Sequence, residues 1–317
     1  MRISIANRLK PFSHVPGAQC IIPGTDFILE AFPALLKIGN LKIHLEVKGP
    51  VRDFTVQQDL EKNCVWVFGE SFHIQVTASP DGFTVQDRNG KRFFPVKIGF
   101  SLPQEWERLS LGSHKKQDWD PLWQRGDLRD ILPVLYGLGQ KIPHFTEQPL
   151  TGTGRLLEFN KVNARSGLEI FCRAAFHHIL VPRLRDDQYQ GLCPDEEVEG
   201  NPFYLIQEAT RLIRSLFFHQ ENHHLHLLPF CPFDSGRFVN MQAHGIGSFD
   251  LEWLKGKLSG AILRAKQNCE IALTLQKEIG TFRIRNNTRE RGRKCKASDP
   301  LFVEVGQTYF LDRFQTL

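Results

Sequence analysis

E-G-N-P-F-Y at residues 199–204 opens the stretch that decides the fold. A helix-patterned run follows it to Phe217, and H-L-H-L-L-P-F-C-P comes next at 224–232. The stretch ends in H-G-I-G-S-F-D-L-E-W at 244–253, which has the pattern of a strand. Because no flexible linker separates these segments, the stretch predicts a packed junction between a helical part and a β-structured part of the chain.

The helix at this junction has a clear start signal. Asn201 is a favourable N-cap, and Pro202 suits the first helical position, where its missing N–H costs nothing. Apolar residues then recur at helical spacing on one face. They are Leu205, Ile206, Ala209, Leu212, Ile213, Leu216 and Phe217. The pattern predicts an amphipathic helix from Pro202 to Phe217.

Two earlier helices are also predicted. Asp127 can cap a helix that begins at Leu128, and Pro133 should bend this helix or mark its true start. Ser166 and Glu169 have the spacing of a capping box, so a second helix should begin there and end by Pro182. Together with the junction helix they make residues 104–225 a mainly helical region.

The flanking regions have strand patterns. L-K-I-H-L-E-V at 41–47 and F-H-I-Q-V-T at 72–77 alternate apolar and polar residues, which is typical of strands with one buried face. C-V-W-V-F-G at 64–69 is a continuous apolar run and predicts a strand covered on both faces. After Leu225 the chain reverts to β-structure, with a hairpin near Lys255 and Gly256 and further strands at 269–275, 281–285, 301–305 and 308–311.

These patterns predict a mixed α and β fold in three parts. Residues 1–103 should form an N-terminal β-sandwich, residues 104–225 a reduced helical middle, and residues 226–317 a C-terminal β-sandwich. The chain of 317 residues is long enough for such a division.

The composition is that of an ordinary soluble protein, with 24% charged residues and a formal net charge of +5. The N-terminus lacks the apolar core of a secretory signal, and no apolar run is long enough for a membrane helix. The seven cysteines are scattered without a CxxC pair. We therefore expect reduced thiols, a cytoplasmic location and no membrane partner.

The junction resembles that of α-fucosidase-like enzymes of glycoside hydrolase family 95. The similar residues are E-G-N-P-F, L-H-L-L-P-F-C-P and the run H-G-I-G-S-F-D-L-E-W-L-K-G-K-L-S-G-A-I-L at 244–263. In those enzymes, and in the related family 65, the last helix of an (α/α)6 barrel leads into a C-terminal β-sandwich. The resemblance covers about 199–317 and implies that the helical middle is the remnant of such a barrel.

The chain departs from the family pattern in two ways. Twelve barrel helices with their loops need roughly 200 residues, and the helical region is much shorter. The family has a catalytic aspartate before Gly-Asn-Phe, whereas this chain has Glu199, and Pro202 intervenes before Phe203. A carboxyl group is retained, but it is displaced by one methylene group.

Inverting glycoside hydrolysis needs two carboxyl groups, one as acid and one to activate water. The resemblance supports Glu199 as one of them. Asp118 or Asp120 is the candidate for the other, and Glu169 and Asp195 are further alternatives. Glu199 can also be explained as an acidic residue favoured at a helix N-terminus.

Sugar contacts have their own candidates. Trp119 and Trp123 mix with carboxylates in the loop from His114 onward, and proteins hold sugars with such combinations of aromatic and polar groups. The alternative is a linker that buries these tryptophans. Asn201 and His226 are further candidates from the resemblance, although His226 also fits a structural role.

Other ligands are not expected. His219, His223, His224 and His226 lack an accompanying zinc motif, so no metal is predicted. No Walker loop, GxGxxG or GxSxG occurs, and no cofactor is predicted. The basic run at 283–296 is typical of a solvated surface, so nucleic acid is not an expected partner.

Two functional hypotheses follow. The first is a carbohydrate-active or carbohydrate-binding protein, which would cleave a glycosidic bond by general acid/base catalysis if it is an enzyme. The second is a non-catalytic structural or interaction protein that retains a glycoside-hydrolase scaffold. A protein partner or a homo-oligomer is compatible with both hypotheses.

Overall fold

The computed structural model describes residues 2–6, 8–112, 116–158, 164–188 and 198–316. These residues form a mixed α and β fold in which strands predominate over helices. No helix among them is both long enough and apolar enough to cross a membrane.

The helices lie in the middle of the chain. They are α1 (Trp119–Arg125), α2 (Leu128–Gly139), α3 (Ala164–Ala175) and α4 (Pro202–Phe217), with a 3-10 helix at Gly152–Glu158. The bounds of α4 confirm the helix predicted at the junction. Asp127 caps α2, since its side chain accepts a hydrogen bond from the backbone N–H of Arg129 at 3.0 Å.

Along the chain, most strands precede α1 or follow α4, and two short strands lie between α3 and α4. The strands are β1 (Phe12–Ser13), β2 (Ala18–Ile21), β3 (Ile28–Phe32), β4 (Leu35–Ile38), β5 (Leu41–His44), β6 (Thr55–Asp59), β7 (Cys64–Phe68), β8 (His73–Ser79), β9 (Gly82–Asp87), β10 (Gly90–Pro95), β11 (Arg108–Ser110), β12 (Phe176–His177), β13 (Val181–Pro182), β14 (Phe218–Glu221), β15 (His224–Leu227), β16 (Ser235–Ala243), β17 (Gly247–Leu254), β18 (Lys257–Ala265), β19 (Cys269–Thr274), β20 (Ile279–Arg285), β21 (Arg293–Lys296), β22 (Leu301–Val303) and β23 (Thr308–Thr316).

The chain divides into two compact units. The N-terminal unit comprises Asn7–Gln104 and Lys115–Thr210, and the C-terminal unit comprises Met1–Ala6, Glu105–His114 and Arg211–Leu317. The three-part division expected from the sequence stays a prediction.

The N-terminal unit contains two large antiparallel sheets. Their strand orders are β1-β6-β7-β8-β9-β10 and β2-β3-β4-β5. The first sheet buries one face, on which Val56, Val65, Val67 and Val76 are fully enclosed. The Gln58 side chain, itself fully buried, donates from Nε2 to the Ile21 carbonyl at 2.7 Å and so links β6 to β2.

The C-terminal unit also contains two sheets. One has seven strands in the order β11-β16-β17-β18-β23-β20-β21, and the other has four in the order β14-β15-β19-β22. β17 and β18 form the hairpin predicted near Lys255, and both turn residues have positive φ, as a tight right-twisted hairpin needs. The later predicted strands correspond to β19, β20, β22 and β23.

Three local predictions need correction. The run at 64–69 is not covered on both faces, because Trp66 and Phe68 on β7 are only half-buried. Pro133 does not mark the start of α2, which begins at Leu128 and continues through the proline. Ser166 is not an N-cap, because it lies inside the first turn of α3, and this helix ends at Ala175 rather than near Pro182.

Candidate functional site

Glu199 and Asn201 lie directly before α4. Glu199 is exposed, and its backbone carbonyl accepts a hydrogen bond from Thr151 Oγ1 at 2.5 Å. Asn201 Oδ1 accepts from the backbone N–H of Phe203 at 2.9 Å, and the backbone N–H of Asn201 donates to Gln148 Oε1 at 3.0 Å. Asn201 is therefore the N-cap that its position predicted, and its side-chain oxygen is occupied by this role.

Replacing Asn201 by alanine should destabilise the protein by about 1 kcal/mol, because the first turn of α4 would lose its side-chain acceptor. The change is measured by urea unfolding followed by circular dichroism. Glu199→Gln is the matched control, since the Glu199 side chain is exposed and only its carbonyl makes the contact above. Equal destabilisation by the two substitutions would contradict a capping role.

The tryptophan and aspartate residues of the predicted sugar loop surround the start of α1. Trp119 is 1% exposed, and its ring centroid lies 6.4 Å from that of Trp123, which is half-buried. Asp120 Oδ2 accepts from Ser13 Oγ at 3.0 Å, whereas Asp118 Oδ1 is buried without a hydrogen-bond partner. His114 lies outside the described residues.

These predicted site residues lie in two segments of the chain, one before α4 and one around the start of α1. No hydrogen bond or ion pair within the described residues joins Glu199 to Asp118 or Asp120, whereas Trp119 and Trp123 are in ring contact. Their catalytic and sugar-binding roles stay predictions. Asp195, the other carboxylate considered, lies outside the described residues.

His226 belongs to the C-terminal unit. It lies on β15, and its ring centroid is 4.7 Å from that of His224 and 5.6 Å from that of His219. Across the described residues, no group of three or more histidine, cysteine, aspartate or glutamate side chains is arranged to hold a metal ion.

A different set of residues forms an open cleft in the N-terminal unit. The β7–β9 cleft lies on the partly exposed face of the six-stranded sheet and has a volume of about 420 Å³. It is lined by Trp66, His73, Gln75, Gln86, Asp87 and Arg88. This volume falls within the range of small-molecule sites.

Strand register explains why these side chains meet. Trp66 pairs with Gln75, and Gln75 pairs with Gln86, so the three residues lie side by side across β7, β8 and β9. Directly paired residues of neighbouring antiparallel strands project from the same face of a sheet. The indole of Trp66 is thus followed by two primary amides in a row.

The Trp66 ring has cationic and aromatic neighbours. The His73 ring centroid lies 4.6 Å from that of Trp66 at an interplanar angle of 36°, and Lys62 Nζ lies 5.8 Å from the Trp66 ring. His73 also lies 5.6 Å from the Phe68 ring. These contacts hold the indole in place while part of its surface stays open.

Asp87 is held in position by hydrogen bonds within the turn that follows β9. Asp87 Oδ1 accepts from the backbone N–H groups of Asn89 and Gly90 at 2.8 and 3.0 Å, which fixes the turn between β9 and β10. Burial raises the pKa of the Cys64 thiol, and a hydrogen bond with the Gln75 side chain opposes this rise.

A smaller cleft of about 150 Å³ adjoins this one, because His73, Asp87 and Arg88 line both. Its other polar lining residues include Glu46, Ser71 and Asn89. Together the two clefts place carboxylate, hydroxyl and amide groups around His73. Neither cleft is lined by Glu199, Asp118 or Asp120.

The sequence around β7 and β8 carries a local signal for part of the β7–β9 cleft. His73 and Gln75 are the polar half of an alternating strand that was correctly predicted. Within C-V-W-V-F, the same alternation puts Val65 and Val67 on the buried face and Trp66 and Phe68 on the other. A strand covered on both faces was predicted for this run, so the outward orientation of Trp66 was not expected.

No protein-family model matches this chain. No curated protein matches it at a significant level.

Proposed function

We propose that this protein binds carbohydrate at the β7–β9 cleft. The supporting observation is the row of Trp66, Gln75 and Gln86 across three neighbouring strands, bordered by His73, Asp87 and Arg88. An indole offers an apolar surface for a sugar ring, and amide, carboxylate and guanidinium groups can bond its hydroxyls. Sites for small polar ligands combine these two elements.

The adjoining smaller cleft supports an oligosaccharide rather than a single sugar. Because His73, Asp87 and Arg88 face both clefts, one ligand can contact them from either side. Polar groups beyond His73 would then contact a second sugar unit.

Binding does not require catalysis. Hydrolysis, as the resemblance to glycoside hydrolase families 95 and 65 implies, would depend on Glu199 and a second carboxyl group such as Asp118 or Asp120.

The same resemblance leads us to propose a more detailed architecture. The two large sheets of each unit would form β-sandwiches, supported in the N-terminal unit by the fully buried valines of the six-stranded sheet, and the helices would be the remnant of a barrel.

The proposal is tested by affinity electrophoresis in native gels that contain neutral polysaccharides, such as β-glucans, xylans, mannans and α-glucans. We expect retardation in at least one gel. Gln86→Ala should reduce this retardation, because Gln86 is an exposed cleft residue whose loss leaves the core intact. Unchanged mobility of the wild type in every gel would favour the alternative of a structural or interaction protein.

A further inference from the structure

A second open cleft lies in the C-terminal unit, and nothing in the proposed function uses it. This histidine cleft has a volume of about 550 Å³. It is lined by Arg214, His219, Gln220, Asn222, His223, Gln242, His244 and Gly245. The lining thus combines three imidazoles, a guanidinium and three amides, and it includes no carboxylate.

The walls of the histidine cleft are joined by a single glutamine. Gln220 Nε2 donates to the carbonyls of Asn222 and His244 at 2.6 and 2.7 Å, and Gln220 Oε1 accepts from the backbone N–H of His244 at 2.8 Å. These bonds connect the β14–β15 hairpin to the turn between β16 and β17. The imidazoles of His223 and His244 are therefore carried on backbone segments with a set separation.

The back of the cleft is fixed by Glu107. This carboxylate, only 7% exposed, accepts from Arg214 Nε and Nη2 at 2.9 and 3.0 Å and from the backbone N–H of Gln242 at 2.8 Å. Arg214 Nη2 also donates to the Gln242 carbonyl at 2.7 Å. Glu107 therefore balances the charge of Arg214.

The three histidines differ in their partners. His219 Nε2 lies 2.9 Å from Glu221 Oε1, and this hydrogen bond lowers the pKa of the Glu221 carboxyl. His223 and His244 are exposed, and their rings border the cleft. Imidazoles in general gain a proton as the pH falls below about 6.5, so acidification would add positive charge to the cleft.

We infer that the histidine cleft binds a small oxyanion that carries more than one negative charge, of the phosphate or polycarboxylate class. Protonated imidazoles form strong, charge-assisted hydrogen bonds with such groups, and the nearby carboxylates of Glu107 and Glu221 are already bonded to Arg214 and His219. The affinity should therefore rise as the pH falls through the range in which imidazoles titrate.

Other charged groups near the cleft also affect how the anion affinity varies with pH. They are Glu107 beside Arg214, Glu221 beside His219, His224 and His226 on the same side of β15, Glu270 on the exposed face of β19, and Lys266 beside the β16–β17 turn. A variant that alters only the cleft itself is needed to separate its contribution from theirs.

Gly245 provides such a variant. Its φ of +70° is the left-handed conformation that asparagine and aspartate tolerate better than most residues, and a Cβ there would lie 3.9 Å from His223 Nε2. Gly245→Asn and Gly245→Asp would therefore introduce side chains of similar shape into the cleft under the same backbone strain. They differ in charge. Only the aspartate carboxylate would pair with the protonated imidazoles and so compete with a bound anion.

Isothermal titration with pyrophosphate and with citrate, both of which carry more than one negative charge at about pH 5.5 and at pH 8, tests the inference. We expect at least one of these anions to bind the wild type about tenfold more tightly at the lower pH. At that pH, Gly245→Asp should bind it about tenfold more weakly than Gly245→Asn. Comparing the two anions distinguishes a phosphate ligand from a carboxylate ligand.

Histidine substitutions complete the test. His223→Gln combined with His244→Gln should remove most of the pH dependence, whereas His224→Gln should retain it, because His224 is not among the residues that line the cleft. No binding of either anion by the wild type at millimolar concentration would overturn the inference. Equal affinities of the two Gly245 variants would also overturn it.

Discussion

Replacing Phe217 by alanine is expected to lower the free energy of unfolding by about 3–5 kcal/mol, because the substitution leaves a large cavity in a closely packed core. Phe217 is fully buried at the end of α4. Its ring lies 5.2 Å from that of Trp253, 5.8 Å from that of Phe238 and 6.2 Å from that of Phe233. Three aromatic neighbours cannot all move inward to fill the space.

The loss is measured by urea unfolding of the wild type and Phe217→Ala, followed by far-ultraviolet circular dichroism. Phe302→Ala is the matched control, since it removes the same atoms from a side chain that is 60% exposed, and it should change the stability by less than about 0.5 kcal/mol. Similar losses for the two variants would mean that the junction helix does not contribute to the core of the C-terminal unit as described.

Asp312→Asn should destabilise the protein, because it leaves two half-buried arginines without their anion. Arg283 binds Asp312 with both ends of its fork, at 2.6 Å from Nε to Oδ1 and 2.9 Å from Nη2 to Oδ2. Arg285 Nη2 donates to Oδ2 of the same carboxylate. The side chains of Arg283, Arg285 and Asp312 are 20%, 10% and 14% exposed.

The effect of this substitution should depend on pH. Burial acts to raise the pKa of Asp312, but the hydrogen bond from Arg283 and the charge of Arg285 outweigh it and hold the pKa below its ordinary value. Since the folded-state pKa is the lower one, the stabilisation is complete above the ordinary pKa of about 3.9 and is lost as the pH falls through the folded-state value.

Unfolding free energies of the wild type and Asp312→Asn should therefore differ at pH 7 and converge in strong acid. Glu278→Gln is the control, because its ion pair with Lys257 is exposed on both sides and should contribute less than about 1 kcal/mol. A difference between wild type and Asp312→Asn that persists unchanged in strong acid would contradict the electrostatic explanation.

Local signals in the sequence were sufficient for much of the fold. Asn201 and Pro202 predicted the start of α4 because capping depends on residues adjacent in the chain. The hairpin at Lys255 and Gly256 was predicted for the same reason. The prediction of a helix start at Ser166 was wrong, because the spacing of a capping box also occurs inside helices. There the same residues face solvent or contact other partners.

The β7–β9 cleft as a whole could not be predicted from local signals in the sequence. Trp66, Gln75 and Gln86 meet through strand register, and the register of long-range pairs is set by the whole sheet rather than by adjacent residues. His244 likewise joins His219 and His223 in their cleft only because Gln220 connects two separate turns. Sequence spacing identified the first histidines of that cleft but not their more distant partners.

The proposal that the β7–β9 cleft binds carbohydrate is tested most directly by calorimetric titration with an oligosaccharide of whichever polysaccharide retards the protein. Trp66→Ala should weaken binding at least about tenfold, because it removes the apolar surface on which the sugar ring would lie. Phe93→Ala is the control, since it removes an exposed aromatic side chain of the same six-stranded sheet that does not line the cleft. With both variants shown to be folded by circular dichroism, we expect weakened binding for Trp66→Ala alone. Unchanged affinity of Trp66→Ala would contradict carbohydrate binding at this cleft.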